Sequence, residues 1–219
     1  MIIKDLGLID FREAYALQER VAAGVAEGTE EETLLLLEHP SVYTIGSGGS
    51  DENILDHTIS AVRINRGGDV TYHGPGQLVA YPIINLARRG RDLHCYLRFL
   101  EEFLIGIAAD FGVAGHRLSG KTGVWTASLP VPAKLASIGV GVRRWVTMHG
   151  FSLNVTTDLS QFSRINPCGL IACPVTSLLM ECGKAVSVDE IKERVAQRFE
   201  ILLDDLLPVD SSDIIKTWI

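Results

Sequence analysis

Residues 61–86 read AVRINRGGDVTYHGPGQLVAYPIINL. Val, Ile, Thr and Tyr fill three short runs, and Gly67-Gly68 and Gly74-Pro75-Gly76 separate them, the pattern of strand, turn, strand, turn, strand. Downstream, Leu93, Tyr96, Leu97, Leu100, Leu104, Ile107 and Phe111 recur at helical spacing between Asp92 and Gly112. Upstream, Phe11, Ala14, Leu17, Val21 and Val25 do the same over residues 11–27, with Asp10 and Glu13 spaced as a capping box and Gly28 as a stop. Thr33 to Leu37, ended by Glu38-His39-Pro40, is too short for a helix and suits a buried strand, followed by a loop with Gly46, Gly48 and Gly49.

Three further strands are expected at Gly123–Ala127, Lys134–Val142 and Trp145–Val155, joined by Ser128-Leu129-Pro130-Val131-Pro132 and by Arg143-Arg144. A last helix starts at a capping box, Ser187 with Glu190, and buries Ile191, Val195, Phe199, Leu202 and Leu206. This order predicts an α/β (α+β) fold: a mixed, largely antiparallel sheet flanked by helices, in one domain over residues 1–219.

The chain has 219 residues, 47% of them hydrophobic and 21% charged, which is enough apolar material for a sizeable single core and lacks the signature of disorder. Twenty basic against 27 acidic side chains leave a formal charge of −7, so no global positive field attracts nucleic acid. The apolar runs are too short to span a bilayer, and a cytoplasmic protein is expected. Cys95, Cys168, Cys173 and Cys182 form no C-x2-C pair and do not join histidines at zinc-finger intervals, so thiols are expected, and no metal.

The stretch Arg66-Gly67-Gly68-Asp69-Val70-Thr71-Tyr72-His73-Gly74-Pro75-Gly76-Gln77 carries the densest chemistry. Two tight hairpin turns would account for the glycines alone. Arg66, Thr71, His73 and Gln77 crowded onto those turns point instead to a binding loop, where glycines let backbone N–H groups approach a ligand. The stretch matches neither common nucleotide fingerprint. Gly115-His116-Arg117-Leu118-Ser119-Gly120-Lys121-Thr122 formally matches a phosphate loop, but the chain continues as a strand where the motif requires a helix.

Lys134 shares a strand face with Ala136, Ile138, Val140 and Val142 under two-residue alternation. Such a lysine usually snorkels to water; if desolvated, an amine gives up its proton more readily and can serve as a general base. Cys168 lies in the turn-forming Asn166-Pro167-Cys168-Gly169, a setting that allows a reactive thiol, whereas Cys95, Cys173 and Cys182 read as packing residues. His149, alternating with Phe151, Leu153 and Val155, reads as a hydrogen-bonded core histidine, and His39 as a loop residue.

The stretch 66–77, with Lys134-Leu135-Ala136-Ser137-Ile138-Gly139, Met148-His149-Gly150-Phe151-Ser152-Leu153-Asn154-Val155 and Ile165-Asn166-Pro167-Cys168-Gly169, closely resembles the lipoyl (octanoyl) transferases. The resemblance runs from Glu38-His39-Pro40 to Val175-Thr176-Ser177-Leu178 in the family's order and spacing. It implies the fold of biotin and lipoate protein ligase catalytic domains. It also implies transfer of an octanoyl group from acyl carrier protein to lipoyl domains, those of the 2-oxoacid dehydrogenases and the glycine cleavage H protein, without ATP, metal or other cofactor. Carried over by position, Cys168 is the acyl-thioester nucleophile and Lys134 activates it. Arg66, Gly67, Gly68, Asp69, Val70, Thr71, Tyr72 and His73 match the substrate-binding segments, together with Ser137, Ile138, Gly139, Gly150, Phe151 and Ser152. Cys173 and Cys182 stand outside the family's pattern, and the Thr126–Pro132 hairpin is variable. Two other readings remain: an ATP-dependent lipoate or biotin ligase, and a non-catalytic acyl-binding module. The basic groups Arg88-Arg89-Arg91 and Arg143-Arg144 are candidate docks for the acidic carrier, or solvated turn residues.

Overall fold

The computed structural model describes residues 1–127, 130–169 and 173–209. Along the chain come β1 (Ile2–Leu8), α1 (Phe11–Glu27), β2 (Thr33–Glu38), β3 (Val42–Ile45), β4 (Val62–Arg63), β5 (Val70–His73), β6 (Gln77–Ile83), α2 (Leu93–Asp110), β7 (His116–Leu118), β8 (Lys121–Thr126), β9 (Ala133–Arg143), β10 (Val146–Asn154), α3 (Leu178–Cys182) and α4 (Val188–Leu206). One sheet has the order β1-β2-β6-β10-β9-β8-β7 and a smaller one the order β4-β3-β5. Among the described strands, only β1–β2 and β3–β4 pair in parallel.

The run Leu34-Leu35-Leu36-Leu37 has no polar alternation because β2 is covered on both faces. Leu34 and Leu36 meet Leu100, Leu104, Phe199 and Leu203 in the core under α2 and α4. Leu35 and Leu37 meet Ala14, Val21 and Val25 of α1. Helix ends follow the expected signals: the Asp10 carboxylate accepts from Arg12 N and Glu13 N, Gly28 closes α1 at φ 74°, and Ser187 accepts from Glu190 N at 3.1 Å. The small sheet packs Tyr43, Ile45, Val70 and Tyr72 against Phe162 and Ile165.

Four elements carried no clear sequence signal. β1 is a largely exposed edge strand, β3 and β7 have four and three residues, and α3 is barely more than one turn. Trp145 sits in a turn and not in β10: Arg144 and Trp145, at φ 52° and 63°, make the two-residue connection between β9 and β10. The expected connection Ser128-Leu129-Pro130-Val131-Pro132 lies partly outside the described residues.

The Arg88-Arg89-Arg91 group does not form one exposed basic patch. Arg89 has a side chain 4% exposed, its Nη2 3.0 Å from Glu32 Oε2 and its Nη1 2.8 Å from Asp204 Oδ1. Nη1 also donates to the Leu207 carbonyl at 2.6 Å. It ties the start of β2 to the end of α4. Removing it leaves the half-buried Glu32 without its guanidinium, so Arg89→Ala should cost about 3 kcal/mol of unfolding free energy. Arg88→Ala, at an exposed position, should stay within about 0.5 kcal/mol. Urea midpoints of the two variants check this, and equal midpoints would return Arg89 to the surface role.

Candidate functional site

A cavity opens between the two sheets where the loop before β5, the loop-facing side of β5, and the middles of β9 and β10 converge. Arg66, Gly68, Asp69, Thr71, His73, Ser137, Ile138, Gly139, Gly150, Phe151 and Ser152 all line it, so three segments distant in sequence share one wall. Three expected residues lie elsewhere. Val70 and Tyr72 point the other way along β5, into the small-sheet core, as strand alternation requires. Gly67 borders a neighbouring cavity. The sequence reading missed Phe11, Ile64, Val79, Tyr81 and His149, which complete the lining. Alternation along β6 from Gln77 could have flagged Val79 and Tyr81.

Arg66 holds this wall in shape. Its guanidinium donates to the carbonyls of Thr44 and Gly67, both at 3.0 Å, and of Asp69 at 2.7 Å, and to Thr44 Oγ1 at 3.0 Å. The Asp69 carboxylate in turn accepts from Val70 N and from Asn53 Nδ2, both at 2.6 Å. β9 approaches this loop so closely that a Cβ on Gly139 would fall 3.0 Å from Arg66 Cδ and 3.1 Å from the Gly67 carbonyl. That close approach is why a glycine interrupts an otherwise apolar strand.

Behind the cavity lies a web of neutral histidines. Gln77 Nε2 donates to the Tyr72 carbonyl at 3.2 Å and to Asn154 Oδ1 at 2.9 Å, while Asn154 Nδ2 donates to the Thr176 carbonyl. Gln77 Oε1 is therefore the acceptor for His73 Nδ1–H at 2.7 Å, which leaves His73 Nε2 as an acceptor. His39 donates from Nδ1 to the Ile9 carbonyl and accepts the Tyr81 hydroxyl at Nε2, both at 2.8 Å. It lies in the loop after β2, as expected, but as a fully buried strut. Burial, then the neighbouring His39, lowers the His73 pKa to about 3. Burial, with help from Arg66, lowers that of His149 to about 4. Burial also lowers His39 and raises the Tyr81 hydroxyl.

His149 departs from its expected place. Its φ of 57° breaks the alternation of β10. Its ring stacks on Tyr15 of α1 and meets Tyr81 edge-on, while Phe151 packs under α2. It is hydrogen-bonded, as expected, through Nε2 to Asn65 Oδ1 at 3.0 Å, and it also faces the cavity.

The second cavity, about 340 Å³, adjoins the first across Gly68, Ile138 and Gly139 and is lined by Lys134, Lys121, Thr122, Leu93 and Leu97. Lys134 is 4% exposed and does not snorkel, with Nζ 5.3 Å from the centroid of the Trp125 ring. Its backbone N donates to Pro174 O at 2.8 Å and its carbonyl accepts from Thr176 N at 3.0 Å, so the segment after Cys168 is strapped to β9 at the lysine itself. Cys168 is described by its backbone alone, in the short helical turn Pro167–Gly169. That turn packs on β5; just before it Asn166 N donates to Asn53 O at 2.8 Å, and a Cβ on Gly169 would fall 3.0 Å from the Asp69 carboxylate. The stretch 115–122 is the β7–β8 hairpin and opens no helix, so the phosphate-loop match stays formal. Among the other cysteines, Cys95 and Cys182 are thiols outside any disulfide.

Residues 10–200 match the family described as lipoyl protein ligase A/B catalytic domain. The octanoyltransferase of Geotalea uraniireducens is 66% identical over 213 residues, 97% of this chain and 98% of that protein. The octanoyltransferase of Geobacter metallireducens is 62% identical over 208 residues, 95% and 96% of the two chains. Among solved structures, the bipartite lipoate protein ligase of Thermoplasma acidophilum superimposes with a TM-score of 0.67 at 16% identity over 96% of this chain and 86% of that one. The biotin protein ligase of Aquifex aeolicus, in complex with biotin and ATP, gives 0.52 at 14% over 94% and 72%. The structural likenesses carry the fold and the sequence relatives carry the activity: this chain belongs to the lipoyl protein ligase A/B catalytic domain family, among its octanoyltransferases, which are acyltransferases.

Proposed function

We propose that the chain works as a single catalytic domain that moves an octanoyl group from the thioester of acyl carrier protein to the lysine amine of a lipoyl domain, through a thioester on Cys168. The observation that carries this reading is Lys134: a buried lysine on the wall of a cavity, with its own backbone clasping the segment that follows Cys168. The Lys134 amine takes the Cys168 thiol proton, and the thiolate attacks the octanoyl carbonyl. The bond from that carbon to the pantetheine sulfur breaks, and the protonated lysine returns the proton to the departing sulfur. In the second half the acceptor amine attacks the Cys168 thioester, an amide forms, and the released Cys168 sulfur recovers a proton by way of Lys134. The donor is an activated thioester, so nucleotide has no step to drive.

The first cavity offers the acyl chain an apolar lining, and from about 50 Å³ it must widen to admit eight carbons. Phe11, Ile64, Val79 and Phe151 give it apolar surface, and its histidines are uncharged at neutral pH. Incubation with octanoyl acyl carrier protein and a lipoyl domain, with and without ATP, tests the whole reaction: octanoyl-lipoyl domain should form equally well in both. Dependence on ATP would favour the ligase, and carrier binding without transfer the acyl-binding module.

With octanoyl acyl carrier protein alone, intact mass spectrometry should show one octanoyl adduct that maps to Cys168 and is absent from Cys168→Ala. An adduct on Cys173 would reject the assignment. Lys134→Arg keeps a cation but cannot exchange a proton, since a guanidinium stays protonated. Its single-turnover acylation should fall at least about 100-fold, close to Lys134→Ala; near-normal acylation by a folded Lys134→Arg would mean that charge alone activates the thiol.

The histidine web sets a pH dependence of stability. His73 and His149 titrate near their ordinary value of about 6.5 when unfolded but at about 3 and about 4 when folded. Below pH about 6.5 the unfolded state therefore binds protons that the native state refuses. Each histidine then removes up to about 1.4 kcal/mol per pH unit as the pH falls toward its folded pKa. Urea midpoints should drop between pH 7 and pH 5, more steeply than in His73→Gln. A flat profile over that interval would mean the rings are not held neutral.

A further inference from the structure

The second cavity lies outside every segment assigned above except at Gly67, Gly68, Ile138, Gly139 and Lys134, and its tip residues Gly120-Lys121-Thr122 come from the formal phosphate-loop match. We infer that this cavity receives the phosphopantetheine arm of the acyl donor and that Lys121 pairs with the arm's phosphate. The inference rests on the proposed thioester reading for its choice of ligand.

Position is the first argument. In the proposed reaction Lys134 is the residue at which the thioester end must arrive, and it opens into this cavity, which shares Gly68, Ile138 and Gly139 with the first one. The acyl chain and the arm leave a thioester in opposite directions. Two cavities that meet at one wall are what such a substrate requires.

Chemistry is the second argument. Leu93 and Leu97 of α2, with Ile138 and Val140 of β9, offer apolar surface to the gem-dimethyl and methylene groups of pantetheine, and Gly68 and Gly120 bring backbone to the cavity wall near its amides. Among the described residues no acidic side chain lines the cavity, although the whole chain carries −7. Lys121 is exposed at the β7–β8 turn and, among the described residues, pairs with no carboxylate, its Nζ lying over the Trp125 ring at 5.5 Å. A compact ammonium on a flexible stem is a common phosphate partner.

Reach is the third. The Lys121 and Lys134 amines lie 5.5 and 5.3 Å from the same ring centroid, so at most about 11 Å separates them. Thiol sulfur to phosphorus in an extended phosphopantetheine spans roughly 16 Å by standard bond lengths. The arm is longer than that gap, so it joins the two amines in a bent conformation, with a hydrogen bond of roughly 3 Å at each end. Gly123 leaves room for the Lys134 stem. A Cβ there would fall 2.9 Å from Lys134 Cε, and its N–H is held at 3.2 Å by Oε1 of the buried Glu101.

Calorimetric binding of free phosphopantetheine and of pantetheine, which lacks the phosphate, tests the inference without any acyl transfer. Wild type should bind phosphopantetheine about tenfold more tightly than pantetheine. Lys121→Met, which keeps the aliphatic stem at an exposed position, should erase that difference and leave pantetheine binding unchanged, while Lys121→Arg should retain most of it. Equal affinities for the two ligands in wild type, or equal losses for both in Lys121→Met, would overturn the inference. So would Lys121-dependent ATP binding that excludes phosphopantetheine, which would make the cavity a nucleotide site. The Cys168 adduct is read separately, by mass, with octanoyl-pantetheine as donor. Its absence would remove the thioester reading, whereas loss of the phosphate preference alone would remove only the role of Lys121.

Discussion

The guanidinium of Arg66 is the constraint on which the site depends. It draws together the Thr44 carbonyl of the small sheet and the Gly67 and Asp69 carbonyls of its own loop. A buried cation costs several kcal/mol to desolvate unless its donors are matched, and here carbonyl oxygens fix where the loop must run. That position lets β9 come in at Gly139 and lets the loop wall off both cavities. A lysine could not serve, because its single ammonium lacks the planar fork that reaches two elements at once.

The same cation explains the protonation of its surroundings. His73 and His149 feel both burial and the Arg66 charge, and both effects favour the neutral ring. The wall of the first cavity thus combines one positive group turned toward carbonyls, one carboxylate, Asp69, turned toward Asn53 and the Val70 N–H, and uncharged imidazoles locked by Gln77 and Asn65. With each charge turned onto protein partners, the wall specifies its own geometry. His73 reads in this light as an orienting residue.

The legible parts of the fold were the local ones. Caps at Asp10 and Ser187 act within three residues, and the unbroken leucines of β2 report burial on both faces wherever the partners come from. β1, β3 and β7 went unread because short strands owe their identity to a neighbour that the local pattern does not show. Arg89 looked like any turn arginine since its partners, Glu32 and Asp204, stand 57 and 115 residues away. At the site, the polar and glycine-rich segments were legible through their family resemblance. Phe11, Ile64 and Val79 were not, because an apolar side chain lining a cavity carries the same sequence signal as one filling a core. His149 was misplaced for a different reason: a single left-handed residue shifts every parity argument along its strand.

The fold alone does not choose between ligase and transferase, since lipoate and biotin ligases share it at 14–17% identity. The chemical difference lies in how the acyl group is activated. A ligase must hold a nucleotide against the acyl carboxylate, whereas a transferase receives a bond already activated and needs a nucleophile with a proton acceptor beside it. Lys134 is compatible with either task, as a cation facing phosphate or as a proton carrier facing sulfur. The distinction therefore falls on the segment it clasps. Pro174 and Thr176 are bonded to the Lys134 backbone, and Asn166 is bonded to Asn53, whose side chain in turn holds Asp69 of the cavity wall. Covalent catalysis gains from a nucleophile held between fixed anchors, whereas nucleotide binding asks nothing of that segment.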